Sequence, residues 1–342
     1  MASPNRRMLH GGAETDVEPW SHSNIAYIAP FPKQRVPAAD NVVSFDLHDL
    51  EGHGDALSVR FEAEQGSLWC TFNHDERPCF TPKLLDAIRR LQVRLKRGLS
   101  TPAMTGRTPL RSVVWTSATP GIWNLGGDLT LFIELIRAGS SDQLRRYAHA
   151  CVDVVYHNLC KLDLPLLTIA LVQGDALGGG FEAVLTNDVI IAERGSKFGL
   201  PEILFNMFPG MGAYSLLCRR LDGARAQQLL LSGRLYEAEE LETMGLVDLV
   251  VEPGEGEMAV REYLIRNQRR HRVLHALSQV RRRCQPVSYD ELIDVTDIWV
   301  ATALALDDAD LRRMERLAAA QQRRRARATA TAESALALSA AG

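Results

Sequence analysis

The chain has 342 residues, 46% of them hydrophobic, and a formal net charge of −3. Its length allows one large domain or two ordinary ones, and so balanced a charge gives no reason to expect nucleic acid as a partner. Six cysteines (Cys70, Cys79, Cys151, Cys160, Cys218 and Cys284) form neither a C-x-x-C pair nor a dense framework, which excludes a disulfide scaffold and fits thiols kept reduced in a cytoplasm.

Residues 1–54 are rich in Pro, Gly, His and Asp, show no sustained period and read as an irregular extension. Glu14, Asp16 and Glu18 make this stretch unlike a signal peptide. Leu57, Val59 and Phe61 alternate, as do Leu68, Cys70 and Phe72, with Gln65-Gly66 between them. That pattern predicts a hairpin. Thr81-Pro82 opens an amphipathic helix to about residue 96, with Leu84, Leu85, Ile88, Leu91 and Leu95 on one face. Residues 112–116 read as a buried strand running into the turn Leu125-Gly126-Gly127-Asp128. Helices over 129–137 and 142–162 follow. A second buried strand, 168–172, runs into the cluster Gly174–Gly180 and a helix carrying Glu182.

A third strand spans 189–192. Helices are expected from about 211 and 224 and over 237–244, and a last strand over 247–251. The longest strongly apolar run, residues 164–172, is about half of the roughly 20 residues that a membrane helix needs. From about 256 to 325 the pattern is helical, and residues 326–342 read as a low-complexity tail that frays. Strand, glycine turn and helix thus occur at least twice, which predicts an α/β domain of stacked turns.

Glu182 and Glu202 are each set among apolar residues and glycine. An ionised carboxylate is costly to bury unless it is paired. Apolar surroundings raise carboxyl pKa values into the range useful for acid/base work. A surface carboxylate on a helix, or an acid in a first helical turn, would explain either residue singly. The two together, beside two glycine turns, favour catalysis. Each turn follows a strand and opens a helix, so its N–H groups lie at a positive helix end. Tight packing turns and an oxyanion hole both satisfy that spacing. A phosphate loop is disfavoured, because Gly-Lys-Ser/Thr does not follow. His271 and His275 have metal-ligand spacing, but Arg269, Arg270 and Arg272 surround them, so a solvated basic face is expected. The arginine runs 281–283 and 323–325 also read as solvated faces, or as a surface for an acidic partner such as a carrier protein. Trp299 reads as core, or as a wall of an acyl tunnel.

Three segments together resemble the crotonase (enoyl-CoA hydratase/isomerase) superfamily. They are Trp123-Asn124-Leu125-Gly126-Gly127-Asp128-Leu129, Ala170-Leu171-Val172-Gln173-Gly174-Asp175-Ala176-Leu177-Gly178-Gly179-Gly180-Phe181-Glu182, and Phe198-Gly199-Leu200-Pro201-Glu202. The resemblance implies an α/β fold, a crotonase-like stacked ββα superhelix over residues 55–255 with a helical C-terminal region over 256–325. It implies an oxyanion hole made by the N–H groups of Gly127 and Gly179. It also implies Glu182 and Glu202 as the acid/base pair, and Leu177, Gly178 and Trp299 against substrate. No cofactor and no metal are implied. Longer stretches, Gly199-Leu200-Pro201-Glu202-Ile203-Leu204-Phe205 and Phe208-Pro209-Gly210-Met211-Gly212-Ala213-Tyr214-Ser215, resemble the bacterial diffusible-signal-factor synthases. That resemblance implies dehydration of a 3-hydroxyacyl chain on acyl carrier protein to a cis-2-enoyl chain, then thioester hydrolysis to a quorum-sensing fatty acid. The alternatives are an enoyl-CoA hydratase/isomerase acting on CoA thioesters, or a non-catalytic binding protein. A sensor-kinase receiver domain as partner and a trimeric or hexameric assembly are implied as well.

Overall fold

The computed structural model of the chain describes residues 47–99 and 110–340, with side chains described as far as residue 326. Most of the expected irregular extension, residues 100–109 and residues 341–342 lie outside the described residues. The part of 1–54 that is described belongs to the fold. A 3-10 turn, Leu47–Leu50, and a short strand β1 (Gly52–His53) precede the first hairpin, and Leu47 and Leu50 are buried.

The predicted hairpin forms from β2 (Leu57–Glu62) and β3 (Ser67–Phe72), paired antiparallel with Leu57 opposite Phe72. Helix α1 (Pro82–Leu99) buries Leu84, Leu85, Ile88, Leu91 and Leu95, the face read from their spacing. A pattern then repeats. β4 (Ser112–Ser117) and β5 (Gly121–Asn124) lead into α2 (Leu129–Arg137) and α3 (Ser141–Leu159). β6 (Leu167–Val172) and β7 (Gly174–Leu177) lead into α4 (Gly179–Leu185). β8 (Val189–Glu193) and β9 (Lys197–Gly199) lead into the 3-10 turn Pro201–Phe205, then α5 (Ala213–Arg220) and α6 (Gly223–Ser232).

Each repeat gives one strand to each of two sheets. The larger sheet has the order β1-β2-β3-β4-β6-β8-β11, where β11 is Leu249–Val251. Its strands from β3 onward run parallel. The smaller sheet has the order β10-β9-β7-β5, where β10 is Leu235–Glu237. There β5, β7 and β9 run parallel and β10 closes the edge antiparallel. Helix α7 (Ala238–Thr243) links β10 to β11. This is the stacked ββα superhelix, and its neighbouring turns share one core in which Trp123, Phe181 and Phe198 are fully buried. A second apolar cluster, including Trp69, Ile169, Leu171 and Ile191, lies under α8 (Gly256–Asn267). The rest is helical: α9 (His271–Cys284), α10 (Tyr289–Leu304) and α11 (Asp308–Ala340).

The structure departs from the sequence reading in several places. Residues 174–177 are strand β7 rather than part of a glycine turn; four residues containing Gly and Asp carry too little β signal to be read as a strand. Helix α3 stops at Leu159, because Lys161, Leu162 and Asp163 all have positive φ (53°, 57° and 60°). Alanine-rich residues 326–340, expected as a fraying tail, continue α11, in keeping with the helix propensity of alanine. The arginine run at 281–283 is only partly solvated, since Arg281 reaches Asp188 at 2.7 Å and Arg282 donates to the Cys160 carbonyl at 3.0 Å.

Gly180 shows how tightly the repeat is packed. A Cβ there would lie 2.1 Å from the Asn124 carbonyl oxygen, in the neighbouring turn of the superhelix. In an isolated helix alanine is favoured over glycine by about 1 kcal/mol. Gly180→Ala should reverse that sign and destabilise the fold by about 3 kcal/mol, the upper part of the overpacking range. Urea unfolding of purified protein measures it, and an unchanged midpoint would contradict this close approach of α4 to β5.

Candidate active site

Three loops that follow adjacent parallel strands converge on one cavity. β7 lies between β5 and β9, so the segments leaving these strands emerge side by side at their C-terminal ends. Gly127 follows β5, Gly179 follows β7 and Glu202 follows β9. Glu182 sits one turn into α4. All four line a cavity of about 460 Å³.

The two glycine turns touch. A Cβ on Gly126 would lie 2.7 Å from the Gly179 nitrogen, and one on Gly179 would lie 3.4 Å from the Gly127 nitrogen. Among the described residues, neither the Gly127 nor the Gly179 N–H donates to a group of the chain. Their neighbours are held firmly. Gly126 N donates to the buried Asn124 Oδ1 at 2.8 Å. Asp128 N donates to the Tyr147 hydroxyl at 3.1 Å, and that hydroxyl donates to the Phe80 carbonyl. Asp128 caps α2 through Leu131 N and takes an ion pair from Arg77 at 3.0 Å. The turn is therefore fixed around two N–H groups that have no partner among the described residues, at glycines that line the cavity.

Glu182 is 1% exposed. Its Oε1 accepts from Met211 N and Ala213 N, each at 2.8 Å. Burial raises its pKa to about 7, against the opposing pull of these backbone donors. Glu202 is a different kind of carboxyl. The residue as a whole is partly exposed, yet its Oε2 is buried and has no hydrogen-bond partner. Burial first, and the charge of Glu182 second, raise its pKa to about 8. Its Oε1 lies against the backbone of Gly178, where a Cβ would approach it to 2.6 Å. Gly178 also has φ +51°, so glycine serves both the turn and the room for Glu202.

The buried end of the cavity is apolar: Phe132, Tyr147, Ala148, Cys151 and Trp299 line it. Trp299, on α10, packs against Phe132 with ring centroids 4.8 Å apart. It is at once a core residue and a cavity wall. Leu177 and Gly178 line the cavity as well. The exposed end lies under α11, which contributes Gln321, Arg323 and Arg324. Gln321 Nε2 donates to the Leu125 carbonyl at 3.2 Å, and Arg324 pairs with the buried Asp175 at 2.8 Å. The run 323–325, expected as a solvated face, is thus partly a rim. Sequence reasoning missed the Met211–Ala213 donors, the Asn124 and Tyr147 braces and the α11 rim. His271, at spacing that could suit a metal, instead meets the Arg111 carbonyl at 2.9 Å.

The enoyl-CoA hydratase/isomerase family model matches residues 104–273. That match supports a place for the chain in the crotonase superfamily. The structure of Pseudomonas aeruginosa DspI is similar, at 24% identity, with 73% of this chain and 93% of that one covered and a TM-score of 0.57. An enoyl-CoA hydratase from Bacillus halodurans is similar at 22% identity, with 76% and 98% covered and a TM-score of 0.61. These two share the fold. A "Probable enoyl-CoA hydratase" of Rhizobium meliloti (strain 1021) is 48% identical over 85 residues, 25% of this chain and 33% of that protein. The "Probable enoyl-CoA hydratase echA8" of Mycobacterium tuberculosis is 49% identical over 84 residues, again 25% and 33%. The match thus spans about a third of the length of these curated relatives.

Raised carboxyl pKa values carry a cost in stability. Above the ordinary value of 4.5 an unfolded glutamate has lost its proton, while buried Glu202 keeps its own to about pH 8. Between those values the folded state binds more protons than the unfolded chain, so stability falls as pH rises through the window. Glu202→Gln removes that loss. The variant should melt about 2–4 °C higher than the parent at pH 8 for each kcal/mol recovered, with no such advantage at pH 4.5. Thermal melts across this range check it.

Proposed function

We propose that this chain dehydrates a 3-hydroxyacyl thioester and then hydrolyses the product to a free cis-2-enoic acid. The observation that carries the reading is the unpartnered, buried Oε2 of Glu202, in the same cavity as Glu182 and the two open N–H groups. The thioester carbonyl would accept hydrogen bonds from Gly127 and Gly179. Between pH 7 and 8 the pair holds about one proton, since like charges in a shared apolar site titrate apart. Glu182, steadied by two backbone donors, is the better anion and removes the C2 proton. The electron pair passes to the carbonyl oxygen as an enolate, a charge that each donor stabilises by roughly 3 kcal/mol. Glu202, carrying the proton, gives it to the C3 hydroxyl. The enolate collapses, the C3–O bond breaks and water leaves. In the second stage water attacks the same carbonyl as the ionised Glu202 takes its proton; the C–S bond then breaks, and the sulfur leaves as a thiol with the proton that Glu182 holds.

The apolar buried end suits an acyl chain, and Arg323 and Arg324 at the exposed end suit the anionic arm of acyl carrier protein or CoA. The resemblance to diffusible-signal-factor synthases around Glu202 and Met211 favours the hydrolytic second stage. The names of the curated relatives favour a simpler reading, reversible hydration of a CoA thioester with no free acid released. Incubation with 3-hydroxyacyl carrier protein and with 3-hydroxyacyl-CoA, followed by mass spectrometry, separates the two. A free unsaturated acid is expected; an enoyl thioester as sole product would leave the hydratase reading.

Glu182→Gln and Glu202→Gln should each slow dehydration by at least about a hundredfold. Either variant turning over at near the parent rate would remove that residue from the chemistry.

With both residues intact, kcat/KM should follow a bell in pH. Its acid limb falls as Glu182 takes a proton, below about 7, and its alkaline limb falls as Glu202 loses one, above about 8. A profile flat from pH 5 to 9 would contradict the one-proton pair.

A further inference from the structure

A second cavity, of about 230 Å³, lies away from the carboxylate pair. Lys161, Arg219, Arg220, Arg281 and Arg282 line it, and Asp188 is its one acidic lining residue. We propose that this cavity is a binding site for a phosphoryl group, as inorganic phosphate or as the phosphate of a small phosphomonoester.

The cations come from three separate elements that the fold brings together. Arg219 and Arg220 end α5, Arg281 and Arg282 end α9, and Lys161 begins the turn after α3. Acidic partners do not match them in number within the site. Asp188 Oδ1 is shared by Lys161 at 2.9 Å, Arg281 at 2.7 Å and the Ser278 hydroxyl at 2.9 Å. Arg219 is held by both oxygens of Glu291. Arg282 reaches a carboxylate only at 3.7 Å, on Asp163, which is also paired with Lys96 at 3.1 Å. Arg220 reaches none within ion-pair distance. Its Nη2 donates to the carbonyls of Leu185 and Asn187, and its remaining nitrogens have no partner among the described residues.

A guanidinium offers planar, paired donors that match phosphate oxygens. The volume fits a compact anion with a short apolar attachment beside Leu159, Leu216 and Val287. Backbone geometry supports a built site. Lys161, Leu162 and Asp163 are three successive non-glycine residues at positive φ, each costing about 1–2 kcal/mol. Such strain persists where surrounding contacts over-determine it, often at ligand sites. It is this turn that sets the 4%-exposed Lys161 against Asp188. Burial first, and the facing Arg281 second, lower the Arg220 pKa to about 10, against the opposing pull of Asp248 and Asp188.

The test titrates the full chain with inorganic phosphate by calorimetry and by thermal melting, against sodium chloride at equal ionic strength. One saturable phosphate site is expected, and a melting temperature that rises with phosphate and not with chloride. Arg220→Gln and Arg282→Gln should each weaken binding by about tenfold or more. Arg282 is held only by one carbonyl and one long contact, so its variant decides the matter if Arg220→Gln does not fold. Glycerol phosphate in place of phosphate identifies the source: tighter binding indicates a phosphomonoester, weaker binding the free ion. Acetate equalling phosphate, chloride equalling phosphate, or Arg282→Gln binding as well as the parent would each overturn the proposal.

Discussion

The parallel pairing of β5, β7 and β9 is the constraint on which the site depends. Adjacent strands lie about 4.8 Å apart, so segments leaving them at the same end emerge as neighbours. One such segment carries Gly127, the next Gly179 and the third Glu202, and all three residues line the cavity. No long-range loop has to be folded across the molecule to assemble them. The register is protected from inside, because Gly174 and Gly180 admit backbone where any side chain would collide. Ladder spacing and glycine packing together hold the two glycine turns and Glu202 against one cavity.

Onto this frame the sequence adds two carboxyls in unequal settings. Glu182 receives backbone donors from the Met211–Ala213 turn, which lower its pKa against the upward push of burial. Glu202 is raised by burial and by the Glu182 charge. The inequality needs no cationic side chain. It follows from where one backbone turn points its N–H groups. The dry walls that keep a proton on Glu202 near neutrality also make its ionised form costly to the fold.

Much of this was legible from residue order. The hairpin, the α1 face and the strands at 112–116 and 168–172 follow from periods of two and of 3.6 that burial imposes. Glu182 and Glu202 stood out because carboxyls among glycine and apolar residues need an explanation. The smaller sheet was not legible. β7, β9 and β10 are three or four residues long, too short for alternation to register, and β7 reads as part of a glycine cluster. The Glu182 donors were hidden for a different reason: a backbone N–H has no sequence signature, and the helix was expected to start at 211 rather than to leave Met211–Ala213 free to turn inward. The left-handed turn at 161–163 was equally invisible, since Lys, Leu and Asp in succession suggest helix.

The cover over the cavity has a graded character. Near its start α11 is anchored by buried Leu311 and Met314. Further along, partly buried Leu317 still packs on the core. Beyond that, contact is polar: Gln321 to the Leu125 carbonyl, Arg324 to Asp175. Apolar anchorage is insensitive to salt, whereas a partly exposed ion pair is weakened by screening and holds little on its own. The Arg324 pair is stronger than that rule suggests on one side only, because Asp175 is buried and its pKa is raised by burial against the pull of Arg324. Removing the arginine would leave a desolvated carboxyl in β7, the central strand of the three. The rim of the cavity and the strand that positions Gly179 are thus joined through one side-chain contact.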